Sequence, residues 1–155
     1  MNAGRARMWT PRAEREAARA EPTDERFKVN LLACCSLAEL RWLDRITYPI
    51  AVGAGCVLTE EGDTDLAFFV ILHGRAAVNV DGVEIARLGL GHCFGEAALL
   101  RRCPQPATVT ALCAMSLAVA SERDFAEVAS IDSLRSALIA SAAAWRDIEA
   151  HSSAD

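Results

Sequence analysis

With 155 residues, 52% of them apolar, the chain is long enough for one domain with a real core, too short for two ordinary ones, and too apolar to be disordered throughout. No apolar run approaches the ~20 residues of a membrane span. The net charge of −5 is spread without any basic stripe that could neutralise a run of phosphates, so nucleic-acid binding is not expected.

Residues 1–25 mix Arg5, Arg7, Arg12, Arg15 and Arg19 with Glu14, Glu16 and Glu21, and contain Pro11 and Pro22. They lack both periodicity and an apolar signal core, so they read as a flexible arm rather than a secretory leader, and a cytoplasmic location is expected. Ser36-Leu37-Ala38-Glu39 is a capping box. Behind it Leu37, Leu40 and Leu43 form the stripe of a short amphipathic helix that ends near Tyr48-Pro49.

The pattern then turns to short strands separated by glycine turns. Gly53 and Gly55 precede Cys56-Val57-Leu58, Glu61-Gly62-Asp63 is a turn, and Leu66 to Leu72 is an apolar strand stopped by His73-Gly74. In Val78-Asn79-Val80-Asp81-Gly82-Val83-Glu84-Ile85, alternating apolar residues flank an Asp-Gly pair, which predicts a type I′ hairpin. Strands continue through Ala107–Leu112 and Met115–Ala120. Ser121 and Asp132 are candidate N-caps of two further helices. On the second, Ile131, Leu134, Leu138, Ala142, Trp145 and Ile148 recur at spacings of three and four. Evenly spaced short strands with glycine turns point to a closed roll or barrel rather than to βαβ units, in the order arm, helix, β-roll, two helices.

Six cysteines invite a metal or disulfide reading, but Cys34 and Cys35 are adjacent and Cys56, Cys93, Cys103 and Cys113 are scattered. No C-x-x-C occurs, and no histidine sits at zinc-ligand spacing. They are expected to be apolar filler in a reducing compartment. His73, His92 and His151 look incidental, and no metal or other cofactor is expected. No nucleophile–base pair appears either, which argues against an enzyme.

The informative stretch is Leu88-Gly89-Leu90-Gly91-His92-Cys93-Phe94-Gly95-Glu96-Ala97-Ala98-Leu99-Leu100. A strand ending at Phe94 turns sharply at Gly95 into a short helical turn whose free N–H groups can cradle an anion. Glu96, placed at the rim, can accept hydrogen bonds from a sugar hydroxyl. These residues resemble the phosphate-binding cassette of the cyclic nucleotide-binding domain family, which reads Phe-Gly-Glu-(Leu/Ile)-Ala-Leu-(Leu/Ile), then Pro-Arg-(Ser/Thr/Ala)-Ala-Thr. The second half here is Pro104-Gln105-Pro106-Ala107-Thr108. The resemblance covers about residues 30–150 and implies an α+β fold: an eight-stranded antiparallel, jelly-roll-like β-roll flanked by an N-terminal helix and two C-terminal helices, with the domain at 26–150 and a tail at 151–155. It also implies a ligand site at Gly95, Glu96, Ala97, Ala98, Leu99, Gln105, Ala107 and Thr108.

Two departures bear on function. In the family an arginine pairs with the cyclic phosphate, and neutral Gln105 stands in its place. The next residue usually donates its N–H, which Pro106 lacks. Losing one charge-assisted bond costs ~1.5–3 kcal/mol, so binding of cyclic AMP or cyclic GMP is expected to be weak or lost. Arg101 or Arg102 could substitute from the loop. The favoured reading is a regulatory or assembly subunit that contacts a protein partner, or a second copy of itself, through the C-terminal helix or the arm. Leu134, Leu138, Ala142 and Trp145 either pack on the chain's own roll or form its lid or interface; on the interface reading, truncating Trp145 should weaken self-association or partner capture and leave the melting of the roll nearly unchanged. The alternative is a genuine sensor of cyclic AMP, cyclic GMP or another small anion. A transcription factor is not expected, since no helix-turn-helix follows within these residues.

Overall fold

The computed structural model describes residues 30–153, with side chains from Asn30 to Trp145. The expected arm and the Ile148 side chain lie outside them. The capping box forms as the sequence predicts: Ser36 Oγ accepts the Glu39 N–H at 3.2 Å, and the Glu39 carboxylate accepts the Ser36 N–H at 2.8 Å. It opens α1 (Leu37–Ile46), whose Leu40 and Leu43 are buried while Leu37 stays exposed in the first turn.

Eight strands follow: β1 (Tyr48–Val52), β2 (Val57–Thr59), β3 (Ala67–His73), β4 (Ala76–Val80), β5 (Val83–Leu88), β6 (Cys93–Phe94), β7 (Thr108–Ala111) and β8 (Met115–Ser121). A short helix, α2 (Glu96–Arg101), lies between β6 and β7; α3 (Glu122–Val128) and α4 (Asp132–Ser153) follow β8. The strands make two antiparallel four-stranded sheets, ordered β1-β8-β3-β6 and β2-β7-β4-β5. This is the expected roll with its flanking helices.

Strand alternation divides the core in two. Phe69, Ile71, Leu117 and Val119 point between the sheets, towards Val78, Leu88 and Val109. Their neighbours Phe68, Val70, Leu72, Ala118 and Ala120 point outward and are covered by Leu40 and Leu43 of α1, Phe125 and Val128 of α3, and Leu134 and Leu138 of α4. Both faces of β3 are therefore buried, which is why residues 66–72 read as an unbroken apolar run rather than an alternating one.

Three details differ from the sequence reading. β1 begins at Tyr48-Pro49, which the sequence reading takes only as a helix end; among the described residues it is an edge strand paired with β8, and an edge position tolerates the missing N–H of Pro49. Ser121 caps α3 by accepting the Asp124 N–H, but Asp132 is the first residue of α4 rather than its cap, and its carboxylate meets the exposed Arg135. α4 also runs to Ser153, past the boundary expected at 150.

The β4–β5 hairpin closes on Asp81 (φ 52°) and Gly82 (φ 79°), with Val80 opposite Val83. Both central residues have positive φ, as a type I′ turn requires. A Cβ on Gly82 would touch nothing within 4 Å. Gly82→Val should therefore carry only the conformational penalty of about 1–2 kcal/mol. That corresponds to a fall in melting temperature of roughly 2–8 °C. An unchanged melting temperature would contradict the assignment of this turn.

Candidate functional site

Gly95 sets the geometry of the site. It adopts φ 94°, ψ −19° at the end of β6 and lies so close to the start of β3 that a Cβ would run into the carbonyl oxygen of Ala67. The chain then enters α2, whose Glu96, Ala97, Ala98 and Leu99 are all buried. The returning segment is pinned by the Glu61-Gly62-Asp63 turn. The Gln105 N–H donates to the Asp63 carbonyl and the Gly62 N–H to the Gln105 carbonyl, both at 2.9 Å.

Between these two segments lies the pocket. Its wall is formed by Gly95, Ala97, Gln105, Pro106 and Ala107 of the cassette, with Thr59, Phe94 and Val109 from the strands. Its remaining wall is Trp145 of α4, only 2% exposed. The cavity left is about 10 Å³, room for at most one water molecule. One turn earlier on α4, Ser141 Oγ donates to Glu96 Oε1 at 2.7 Å, and both residues are buried. The helix thus places a hydroxyl on the cassette carboxylate and an indole in the pocket.

Glu96 is fully buried rather than at the rim, which corrects the sequence reading. Burial raises its pKa to about 7; hydrogen bonding from Ser141, and weaker approaches by the Trp145 indole and the Cys93 thiol, pull the other way. A carboxyl whose folded pKa lies above its ordinary 4.5 binds more protons in the folded state. No penalty arises below pH 4.5, stability falls as pH rises from 4.5 to 7, and the penalty is complete above 7. The span is about 3 kcal/mol. His92, whose pKa burial lowers, acts in the opposite sense below its ordinary 6.5. Comparison with Glu96→Gln removes that background. The variant should gain up to about 3 kcal/mol relative to wild type between pH 4.5 and 8 in chemical denaturation. A pH-independent difference would show that the carboxyl is not protonated in the fold.

The structure gathers Gly95, Ala97, Gln105 and Ala107 around the pocket, with Glu96 beside it. The other cassette residues point elsewhere. Leu99 packs in the outer core. Ala98 uses its carbonyl to accept the N–H groups of Arg102 and Cys103. The Thr108 hydroxyl accepts the Glu61 N–H at 3.0 Å. Neither Arg101 nor Arg102 lines the pocket; Arg102 lines a separate surface groove with Thr64, Leu66, Pro104 and Glu122. Leu134, Leu138, Ala142 and Trp145 all face the chain's own roll, so a partner contact through them would require α4 to leave it. Ser141 escaped the sequence reading. Its signal was a polar residue inside the apolar stripe of α4, three residues after Leu138 and four before Trp145.

The cysteines also need correction. Cys93 is buried, Cys35 and Cys103 are half-buried, and Cys34, Cys56 and Cys113 are exposed. The exposed three sit in turns, where apolar neighbours in sequence do not imply burial.

Comparison with known proteins bears on this geometry. Residues 49–132, more than half of the chain, match the family model of the cyclic nucleotide-binding domain. A Drosophila melanogaster cGMP-dependent protein kinase is 31% identical over 98 residues, covering 63% of this chain and 9% of the kinase. The Thermus thermophilus catabolite activator protein shares the fold with a TM-score of 0.64 at 22% identity, covering 81% of this chain and 62% of that one. A cAMP-binding acyltransferase from Mycobacterium smegmatis gives a TM-score of 0.54 at 28% identity, covering 81% and 39%. The chain therefore spans under a tenth of the kinase and under two thirds of either structural relative.

Proposed function

The chain belongs to the cyclic nucleotide-binding domain family, and from that premise we propose that it is a non-catalytic regulatory or assembly domain in which cyclic nucleotide binding is weak or lost. One observation carries the reading: Ser141 and Trp145 of α4 already occupy the site, leaving a cavity of about 10 Å³. A ligand must first expel a buried indole. The charge pattern supports the same conclusion, because Gln105 and Pro106 offer the phosphate neither a cation nor a second N–H.

In this reading α4 is held closed by the chain's own residues, where a sensor would need its ligand to hold it. A protein partner or a second copy then reads the helix in its closed position. The outer face carries Ile139, 55% exposed. Exposed thiols at Cys34, Cys56 and Cys113 suit a reducing compartment such as the cytoplasm. Among the described residues no helix is long and apolar enough to cross a membrane.

Calorimetric titration with cyclic AMP and cyclic GMP tests the proposal. Wild type should show no sub-micromolar affinity for either, and an affinity in that range would overturn the reading. Gln105→Arg combined with Pro106→Ala restores one charge-assisted bond and one N–H. That variant should bind roughly tenfold to a hundredfold more tightly than wild type.

A further inference from the structure

Resting on that reading of a pocket closed by α4, we propose that the pocket, once α4 withdraws, takes an uncharged nucleoside in preference to the corresponding cyclic phosphate.

The polar groups left in the pocket define what would fit. Gln105 is only 4% exposed and lines the pocket, yet its Nε2 has no hydrogen-bond partner. A buried amide donor in that state calls for an acceptor. Glu96 supplies the opposite demand. Its Oε1 takes the Ser141 hydroxyl, while Oε2 carries no aligned hydrogen bond. The carboxylate thus shows, in the chain's own hydroxyl, the kind of donor it accepts. The third feature is shape. The flat, bicyclic indole of Trp145 lies against Phe94, Ala107 and Val109, in a slot that a ring of purine size would refill.

Charge decides against the phosphate. The residues lining the pocket include no Lys, Arg or His, and the ionisable group beside them is the acid Glu96. A phosphate there would be desolvated with no counter-charge, beside an acidic group that can only add negative charge. A nucleoside offers the planar ring, sugar hydroxyls for Glu96 and an acceptor for Gln105, and brings no charge to bury.

Calorimetry of the full chain and of Ser141→Ala separates the alternatives, with adenosine, guanosine, cyclic AMP and cyclic GMP each titrated up to millimolar concentration. Ser141→Ala removes the hydroxyl that holds α4 on Glu96 without excavating the core. In it a nucleoside should bind at least tenfold more tightly than its cyclic phosphate, and adding Gln105→Arg should reverse that order. Cyclic nucleotide binding as tight as nucleoside binding overturns the inference, and so does the absence of any nucleoside binding at millimolar concentration. Either result leaves the closed-pocket reading standing so long as wild type shows no sub-micromolar cyclic nucleotide affinity. Should Ser141→Ala fail to fold, wild type gives the same ranking, because a closed pocket weakens every ligand by one common factor.

Discussion

Gly95→Ala should destabilise the domain by about 3 kcal/mol or more. Two penalties combine. A φ of 94° costs an L-residue roughly 1–2 kcal/mol on conformational grounds. The added methyl would also meet the carbonyl oxygen of Ala67. That oxygen cannot turn aside cheaply, because Ala67 opens β3 and is paired with Ser121 of β8. Relief requires moving α2, and α2 carries Glu96, so the bond from Ser141 should loosen as well. Gly82→Val is the internal control: it has the same backbone problem and no neighbour to strike. Urea denaturation of the two variants should rank Gly95→Ala well below Gly82→Val. Equal losses would mean that the cassette turn has room to relax and that Gly95 is there for conformation alone.

The features legible in the sequence are those that local chemistry dictates. The Asp81-Gly82 hairpin, the Ser36–Glu39 capping box and the Phe94-Gly95 turn each follow from residue types at short spacing. The roll followed from many such turns together. What stayed hidden depends on contacts between distant segments. Glu96 looks like a rim residue until α4 folds back over α2 and brings Ser141, 45 positions later, onto its carboxylate. β1 is not legible because Tyr48-Pro49 reads as the end of the Leu37–Leu43 helix, and nothing local marks an edge strand there. Cys34, Cys56 and Cys113 were misread because an apolar sequence neighbourhood says nothing about which turn residues face water. The pocket itself was half legible: Gln105 and Pro106 showed what the phosphate would lack, and only the structure shows what fills the space.

Trp145→Ala should cost about 3–5 kcal/mol, the range for truncating a buried aromatic. On sequence alone, with Trp145 read as an interface residue, the melting curve should hardly move. Its burial against the pocket wall reverses that expectation. The lost indole leaves a cavity lined by Phe94, Ala107 and Val109, strand and cassette residues whose backbones are fixed by the sheets and by the bonds that tie Gln105 to Gly62 and Asp63, so little collapse can offset the loss. The Ser141–Glu96 bond is then the main polar tie left between α4 and the cassette, and it cannot replace the packing of a bicyclic ring. A drop in melting temperature of roughly 6–20 °C is expected, with Trp145→Phe recovering most of it. Sedimentation of the same variants supplies the second axis. If Trp145→Ala melts within a degree of wild type while self-association is lost, α4 does not pack into the roll in solution, and the closed pocket is not the resting state of the protein.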